Sequence, residues 1–386
     1  MANNNYLYPN QVIGIIGESF SNLSLVSAAK KMGFKVALYS KDDESDVAQL
    51  SDYNYVGSYA DEESLKMFAE RCDIVIYNND QISASVIDYI SQYTNVPQQS
   101  TLLDINQDRL MERSFFETLN INMVPYSTII NLEDLYQSLN SIGYPAILKP
   151  IQKGIAGTRE LLIRNQTDVV GASGLLDLGT YILESYVKHD IDYTVVATRS
   201  ADGNRIIFPV VEDMYDENRL VTSFTPAKIN GSLEKEITRI TNEIANNLDY
   251  VGTFEVSFFV SEGGSIYINK IAPNLGMAGL VFEYALSIGQ FEQHLRAVAG
   301  LPLSKPIKGI PTVLQAIFKN DYARIKTQWV IKDNWHFSFY GIDSDTSSPI
   351  GHILIPTESI PDTLMQLEGT NIWSQVDFKS KYEKMR

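Results

Sequence analysis

The residues with the most chemical content fall in two short stretches, Phe254-Glu255-Val256-Ser257-Phe258-Phe259 and Tyr267-Ile268-Asn269-Lys270-Ile271-Ala272-Pro273. Each reads as a β-strand, and Glu262-Gly263-Gly264-Ser265 between them reads as a hairpin turn. Strand alternation puts Glu255 and Ser257 on one face, roughly 7 Å apart at a rise of about 3.3 Å per residue. A carboxylate is the hard oxygen donor that Mg2+ takes at about 2.0–2.1 Å. A serine hydroxyl is a poor replacement, and an ammonium repels the cation and has no lone pair to offer. The hairpin therefore presents one carboxylate, one hydroxyl and the Lys270 ammonium.

Other charged positions have two readings each. Arg109 and Arg113 sit at i, i+4 on a predicted helix and read either as anion contacts or as a solvated face with Asp108 and Glu112. Lys149 ends the apolar run Ala146-Ile147-Leu148, as an anion contact or as a strand cap. Lys153 and Arg159 flank Gly154 and Gly157, which supply loop flexibility. The histidines, His189, His294, His336 and His352, are too widely spaced for a His-rich metal site. The single cysteine, Cys72, excludes an internal disulfide and reads as a packed core thiol.

The elements that must position these groups begin with an alternation of strand and helix over residues 11–100. Val12-Ile13-Gly14-Ile15-Ile16-Gly17 is an apolar strand, followed by a helix over about 22–32, the strand Lys35 to Tyr39, a helix around 62–70 and the strand Asp73 to Tyr77. Solid apolar strands with crossover helices predict a parallel, Rossmann-like sheet covered on both faces. Its first turn, Gly17-Glu18-Ser19-Phe20-Ser21-Asn22, keeps one glycine and adds an acid where a phosphate would sit, so the dinucleotide fingerprint is absent. Two helical segments follow Pro97, and then a strand-rich region runs to the C-terminus. The 386 residues carry 44% hydrophobic and 20% charged side chains and a net charge of −16, which argues against nucleic-acid and anionic-membrane partners. No apolar run reaches the roughly 18 residues of a membrane span, and MANNNYLYPN has no signal-peptide pattern, so a cytoplasmic protein is expected.

This order resembles the ATP-grasp superfamily, and within it the N5-carboxyaminoimidazole ribonucleotide synthases of purine biosynthesis, which carboxylate an aminoimidazole ribonucleotide with ATP and bicarbonate. The resemblance is carried by Ile13-Gly14-Ile15-Ile16-Gly17, Gln107-Asp108-Arg109-Leu110, Gly143-Tyr144-Pro145-Ala146-Ile147-Leu148-Lys149, Thr225-Pro226-Ala227-Lys228-Ile229, Val251-Gly252-Thr253-Phe254, Asn269-Lys270-Ile271-Ala272-Pro273, Gln290-Phe291-Glu292-Gln293 and Gly351-His352. It implies an α/β ATP-grasp fold: a Rossmann-like pre-ATP-grasp domain over 1–106, a lid region over 107–185, a catalytic domain over 186–305 and a small strand-rich segment over 306–386. It also implies a homodimer and a nucleotide, ATP or ADP, as ligand. Lys149 and Arg109 match family contacts to the triphosphate, and Arg113 stands where a lysine is expected. Glu184, Ser185, Tyr186 and Val187 match the hinge that reads adenine. Asp192 matches a ribose-binding glutamate, one methylene shorter.

Several positions depart from the family pattern. Where the family places a magnesium-binding acid on each hairpin strand, this chain has Ser257 and Lys270. Of the family loop G-G-Y-D-G-K-G-Q, the tyrosine and aspartate become Ile155 and Ala156, and the loop lysine becomes Thr158. After Ala272-Pro273 the family's arginine and histidines give way to Asn274-Leu275-Gly276-Met277-Ala278-Gly279-Leu280. Ile342-Asp343-Ser344-Asp345-Thr346 and Ser348-Pro349-Ile350 replace a basic phosphate clamp. The expectation is a nucleotide-binding relative with doubtful Mg2+ binding and little or no family activity. The alternatives are a ligase redirected to a less charged substrate, its new pocket lined by residues 275–280, and a functioning synthase. The most direct observation would be a structure soaked with ATP and Mg2+.

Overall fold

The computed structural model describes residues 6–17, 19–41, 45–154, 159–216, 219–340, 348–373 and 375–385. Glu18, the loop positions Ile155, Ala156 and Thr158, and Ile342 to Thr346 lie outside the described residues.

The first unit is a parallel sheet of β1 (Val12–Ile16), β2 (Lys35–Ser40), β3 (Tyr53–Val56) and β4 (Ile74–Tyr77), in the order β3-β2-β1-β4. Every residue of β1 and β4 is buried, as strands covered on both faces require. Close packing explains Gly14: a Cβ there would lie 2.6 Å from Cys72 Sγ and 2.8 Å from the Phe68 ring. Cys72 is thus a core thiol, donating to Phe68 O and pushed by burial up to about 12. Edge strand β3 was not foreseen, because half its side chains face solvent and its apolar signal is diluted.

The second unit is an antiparallel sheet of β5 (Tyr126–Ile129), β6 (Ala146–Pro150), β7 (Leu161–Ile163) and β8 (Tyr181–Ser185), ordered β5-β8-β6-β7. The helix Leu132–Ile142 covers it with Leu135 and Leu139. The third is a nine-stranded sheet. It contains β9 (His189–Arg199), β10 (Arg205–Ile207), β11 (Val211–Asp216), β12 (Arg219–Thr225), β13 (Gly252–Ser261), β14 (Ile266–Ala272), β15 (Thr312–Ile317), β16 (His336–Phe339) and β17 (Gly351–Pro356). Its order is β14-β13-β9-β11-β12-β15-β17-β16, with β10 paired to β9. The segment beyond residue 306 therefore shares a sheet with the strands before it.

One face of this sheet packs on the first unit: Val196, Val211, Leu314 and Leu354 share a core with Ile13, Ile15 and Val26. On the other face Phe224, Val313 and Ile355 meet C-terminal residues Leu364, Trp373 and Phe378. Among the described residues no helix is long and apolar enough to cross a membrane.

Candidate functional site

The predicted hairpin exists. β13 and β14 pair antiparallel with Ser257 opposite Lys270 and Glu255 opposite Ala272. A bulge follows, because Phe258 pairs with Ile268 and leaves Asn269 as the extra residue. Directly opposite residues share a face. One row therefore runs Lys270, Ser257, Thr194 and Val211, and the next runs Phe259, Asp192, Asp213 and Ser223. Phe254, Val256 and Phe258 take the opposite, core face.

Helix Arg109–Thr118 and β8 build a charged knot beside the hairpin. Glu184 is buried, with Oε1 accepting from Arg113 Nε at 2.9 Å and Nη2 at 2.6 Å, and Oε2 meeting Lys149 Nζ at 2.8 Å. Burial alone would raise the Glu184 carboxyl, but Lys149 and Arg113 outweigh it and hold it down at about 2. Arg113 also donates to Asn269 O at 3.2 Å, and its neighbour Glu112 accepts from Ile271 N at 3.1 Å. Asn106 Nδ2 donates to Ile271 O at 2.6 Å. The backbone on both sides of Lys270 is thereby fixed to the knot. The solvated-face reading of Arg113 and Glu112 fails, because both are buried; Asp108 instead caps the helix through Leu110 N and Met111 N. What the residue pattern missed was the role of Glu112, which pairs with its neighbour Arg113 at 3.5 Å and accepts from Ile271 N, 159 positions away in sequence.

Arg109 lies against the end of β6, donating to Pro150 O at 2.7 Å and pairing with Glu160 at 2.8 Å. Lys153 follows on the same turn, its amide bonded to Gln107 O. Burial lowers the Lys153 ammonium, with Glu112 opposing that shift and Arg109 and Lys270 adding to it. Lys153 therefore feels the charge of both Arg109 and Lys270.

The hinge is shaped differently from a free edge. Ser185 and Tyr186 spend their amides on Pro125 O and Pro145 O, and Val187 O accepts from His189 Nδ1 at 2.9 Å. Beside it the rings of His189, Phe259 and Tyr267 stack at 4.4 and 5.3 Å. Asp192 lies 3.4 Å from His189 Nε2 and directly opposite Asp213 on the ladder.

Two further carboxylates were not singled out as a set. Asp213 is buried and accepts from Ser223; burial, against the Ser223 bond, pushes it up to about 7. Glu255 is also raised by burial to about 7, with Lys270 pulling it down and Asp213 pushing it up. Its carboxylate lies against the turn after β14, where a Cβ on Gly276 would come 2.2 Å from Oε2. Among the described residues no group of three or more His, Cys, Asp or Glu is placed to hold a metal ion.

The expected pocket lining at residues 275–280 needs correction. Leu275, Met277, Ala278 and Leu280 are core residues packed with Val26 and Phe208, and Leu275 N is bonded to Asn78 Oδ1 at 2.8 Å. Apolar side chains in this turn gained more by burial against the first sheet than a solvated wall would give. A cavity of ≈ 580 Å³ exists elsewhere, lined by Ile207, Phe208, Pro226, Leu286, Lys305 and Lys308 among others. Asn274 leads into this turn with its Oδ1 buried and unpartnered.

Comparison with known proteins agrees with this layout. Residues 10–107 match the ribonucleotide synthetase preATP-grasp domain, and residues 114–291 match the ATP-grasp domain. N5-carboxyaminoimidazole ribonucleotide synthase of Bacillus subtilis (strain 168) is 32% identical over 302 residues, 78% of this chain and 79% of that protein. The Staphylococcus haemolyticus synthase is 28% identical over 95% of this chain and 99% of its own length. Among solved structures, an ADP complex of an N5-carboxyaminoimidazole ribonucleotide synthetase superposes with a TM-score of 0.91 at 29% identity, covering 96% of this chain and 98% of that one. The Staphylococcus aureus synthetase complexed with ADP gives 0.89 at 25% identity, over 95% and 98%. With fold, domain order and curated relatives in agreement, the chain belongs to the N5-carboxyaminoimidazole ribonucleotide synthase family of ATP-grasp proteins.

Proposed function

We propose that the protein binds an adenine nucleotide, ATP or ADP, in the family cleft between β6, β8 and the β13–β14 hairpin, and has lost most or all of the family's metal-dependent ligation. The observation that carries this reading is the pairing of Ser257 with Lys270, where the family places its two magnesium-binding acids. The donor set does not fit Mg2+. A doubly charged ion about 4 Å from an ammonium is repelled by about 8 kcal/mol at an effective dielectric near 20. Glu255 lies on that face two residues along β13, so the two strands of the hairpin, which normally bring one acid each, share a single carboxylate on that face.

Nucleotide binding is supported by the surviving cations and the hinge. Arg109, Lys149 and Lys153 stand along the end of β6, and the stacked rings of His189, Phe259 and Tyr267, with Phe259 buried at the centre, lie near Val187. Lys149 meets Glu184 from a partly open position, so it can turn to a phosphate while Arg113 keeps Glu184 neutralised. The solved relatives crystallised with ADP favour the same ligand class. On the substrate side, a buried apolar turn stands where the family's arginine and histidines grip the ribonucleotide, so a phosphorylated substrate finds no charge-assisted partner there.

The assay is direct. Purified protein with MgATP, bicarbonate and aminoimidazole ribonucleotide is followed for ADP and carboxylated product, beside the Bacillus subtilis enzyme. The reading expects bound nucleotide and no substrate-dependent ADP above background. Turnover approaching that of the comparison enzyme refutes the loss of activity and restores a working synthase.

A further inference from the structure

We propose that the Lys270 ammonium is a built-in replacement for the cation that normally accompanies the nucleotide, so that this protein takes ATP or ADP free of divalent metal. This rests on the nucleotide-binding reading above and specifies the ligand's ionic form. The disagreement between the donor set and Mg2+ is its starting point, and three features of the site carry it further.

First, Lys270 is held where a metal-bridging group would stand. It faces Ser257 across the ladder, and the bulge just beyond re-aims this stretch of β14. Its two chain neighbours are anchored: Asn269 O takes Arg113 Nη1, and Ile271 exchanges bonds with Glu112 and Asn106. Lys270 itself is exposed, so a fixed backbone delivers a solvent-accessible charge.

Second, the local charges ask for an anion. Lys153 lies within electrostatic reach of both Arg109 and Lys270, with Glu112 and Asp80 as its opposing charges. Arg109 is paired with Glu160, and Lys270 has Glu255 as its acidic neighbour. Glu255 lies against the turn at Gly276, and among the described residues its buried Oε1 has no hydrogen-bond partner. A polyphosphate would relieve the repulsion among these cations, whereas a divalent cation would add to it.

Third, the same knot that anchors Lys270 contains Lys149 and Glu184. The nucleotide-contacting lysine and the replacement cation are therefore positioned by one set of bonds, from Glu112, Arg113 and Glu184. Rigid placement is what a point charge on a four-carbon stem needs to act at a fixed locus.

Calorimetric titration of the full chain with ADP and with ATP, first in EDTA and then in excess MgCl2, tests this. Binding in EDTA, with no gain on adding Mg2+, is the expected result. Lys270→Met should weaken metal-free binding by about tenfold or more, as loss of a charge-assisted contact does, while leaving the unfolding midpoint unchanged. The double change Ser257→Glu with Lys270→Glu should reverse the preference, giving binding that requires Mg2+. A parent chain that binds nucleotide only with Mg2+, or metal-free binding that survives Lys270→Met undiminished, overturns the proposal. Lys149→Met separates the two layers: metal-free binding lost in that variant but kept in Lys270→Met leaves the nucleotide reading intact and removes the role of Lys270. No binding of either nucleotide in either buffer overturns both.

Discussion

Glu184 sets the chemistry of the knot residue by residue. Both its oxygens are taken, by Arg113 and Lys149, and Arg113 is buried with it. Glu184→Gln would remove the shorter of the two ion pairs of buried Arg113 and leave only its 3.5 Å contact with Glu112, and removing one partner of a buried pair costs about 3–5 kcal/mol. Chemical denaturation should show that loss, together with weaker nucleotide binding. The pH dependence has two opposed contributions. Glu184 is depressed from an ordinary 4.5 to about 2, so the stability it contributes is full above 4.5 and is lost as pH falls towards 2. Asp213 is raised from 3.8 to about 7, so burying it costs nothing below 3.8, costs progressively more as pH rises from 3.8 towards 7, and carries its full cost above that. Asp213→Asn keeps the acceptor for Ser223 and should stabilise the protein at pH 8 but not at pH 4; urea midpoints at the two values check this. At this scale Lys149, Arg109, Ser257 and Lys270 were singled out as candidates from residue type and position, and the structure sets Ser257 opposite Lys270. Glu112 and Asp213 were not, because an acid paired across 159 residues and an acid raised by burial look like any other acids in a string.

The hairpin is the element on which the reading turns, and its strands and turn follow from alternation and a glycine pair, whereas the opposition of Ser257 and Lys270 depends on a register shift. The bulge at Asn269 was invisible, since it depends on how the two strands register. Strands β12 and β15 were also missed. Thr312–Ile317 is buried throughout and carries no alternation to mark it. The turn after β14 was misread for a related reason: an apolar run announces burial without saying against what. Its glycines make an element-level prediction. A methyl at Gly276 would meet the Glu255 carboxylate at 2.2 Å and one at Gly279 would meet Gln290 Oε1 at 2.1 Å. Gly276→Ala should therefore destabilise by about 1–3 kcal/mol, as overpacking does. It should also displace Glu255, read as a change in the pH profile of stability. In hydrogen exchange, Glu112→Gln should speed the Ile271 amide, because a neutral amide oxygen accepts that bond more weakly than a carboxylate.

Across the whole molecule, the order of units was legible because a βαβ alternation and a strand-rich remainder are coarse, redundant signals. The way the last segment closes the structure was not. β15, β16 and β17 extend the large sheet, and helix Phe378–Met385 returns to pair Lys381 with buried Glu212, whose other oxygen accepts from Lys228 N. Lys381→Met should lower the unfolding midpoint through Glu212 more than it affects nucleotide affinity. The homodimer implied by resemblance is open to light scattering of the purified chain. The global fold matches that of relatives solved with ADP, while the charges around Ser257 and Lys270 differ from what Mg2+ requires. A crystal structure grown with ATP and Mg2+ tests that contrast most directly. The predicted result is nucleotide with Lys270 Nζ on a phosphate oxygen and no metal between β13 and β14. A metal ion bound there, ligated by Glu255 or Ser257 with Lys270 turned away, would contradict it.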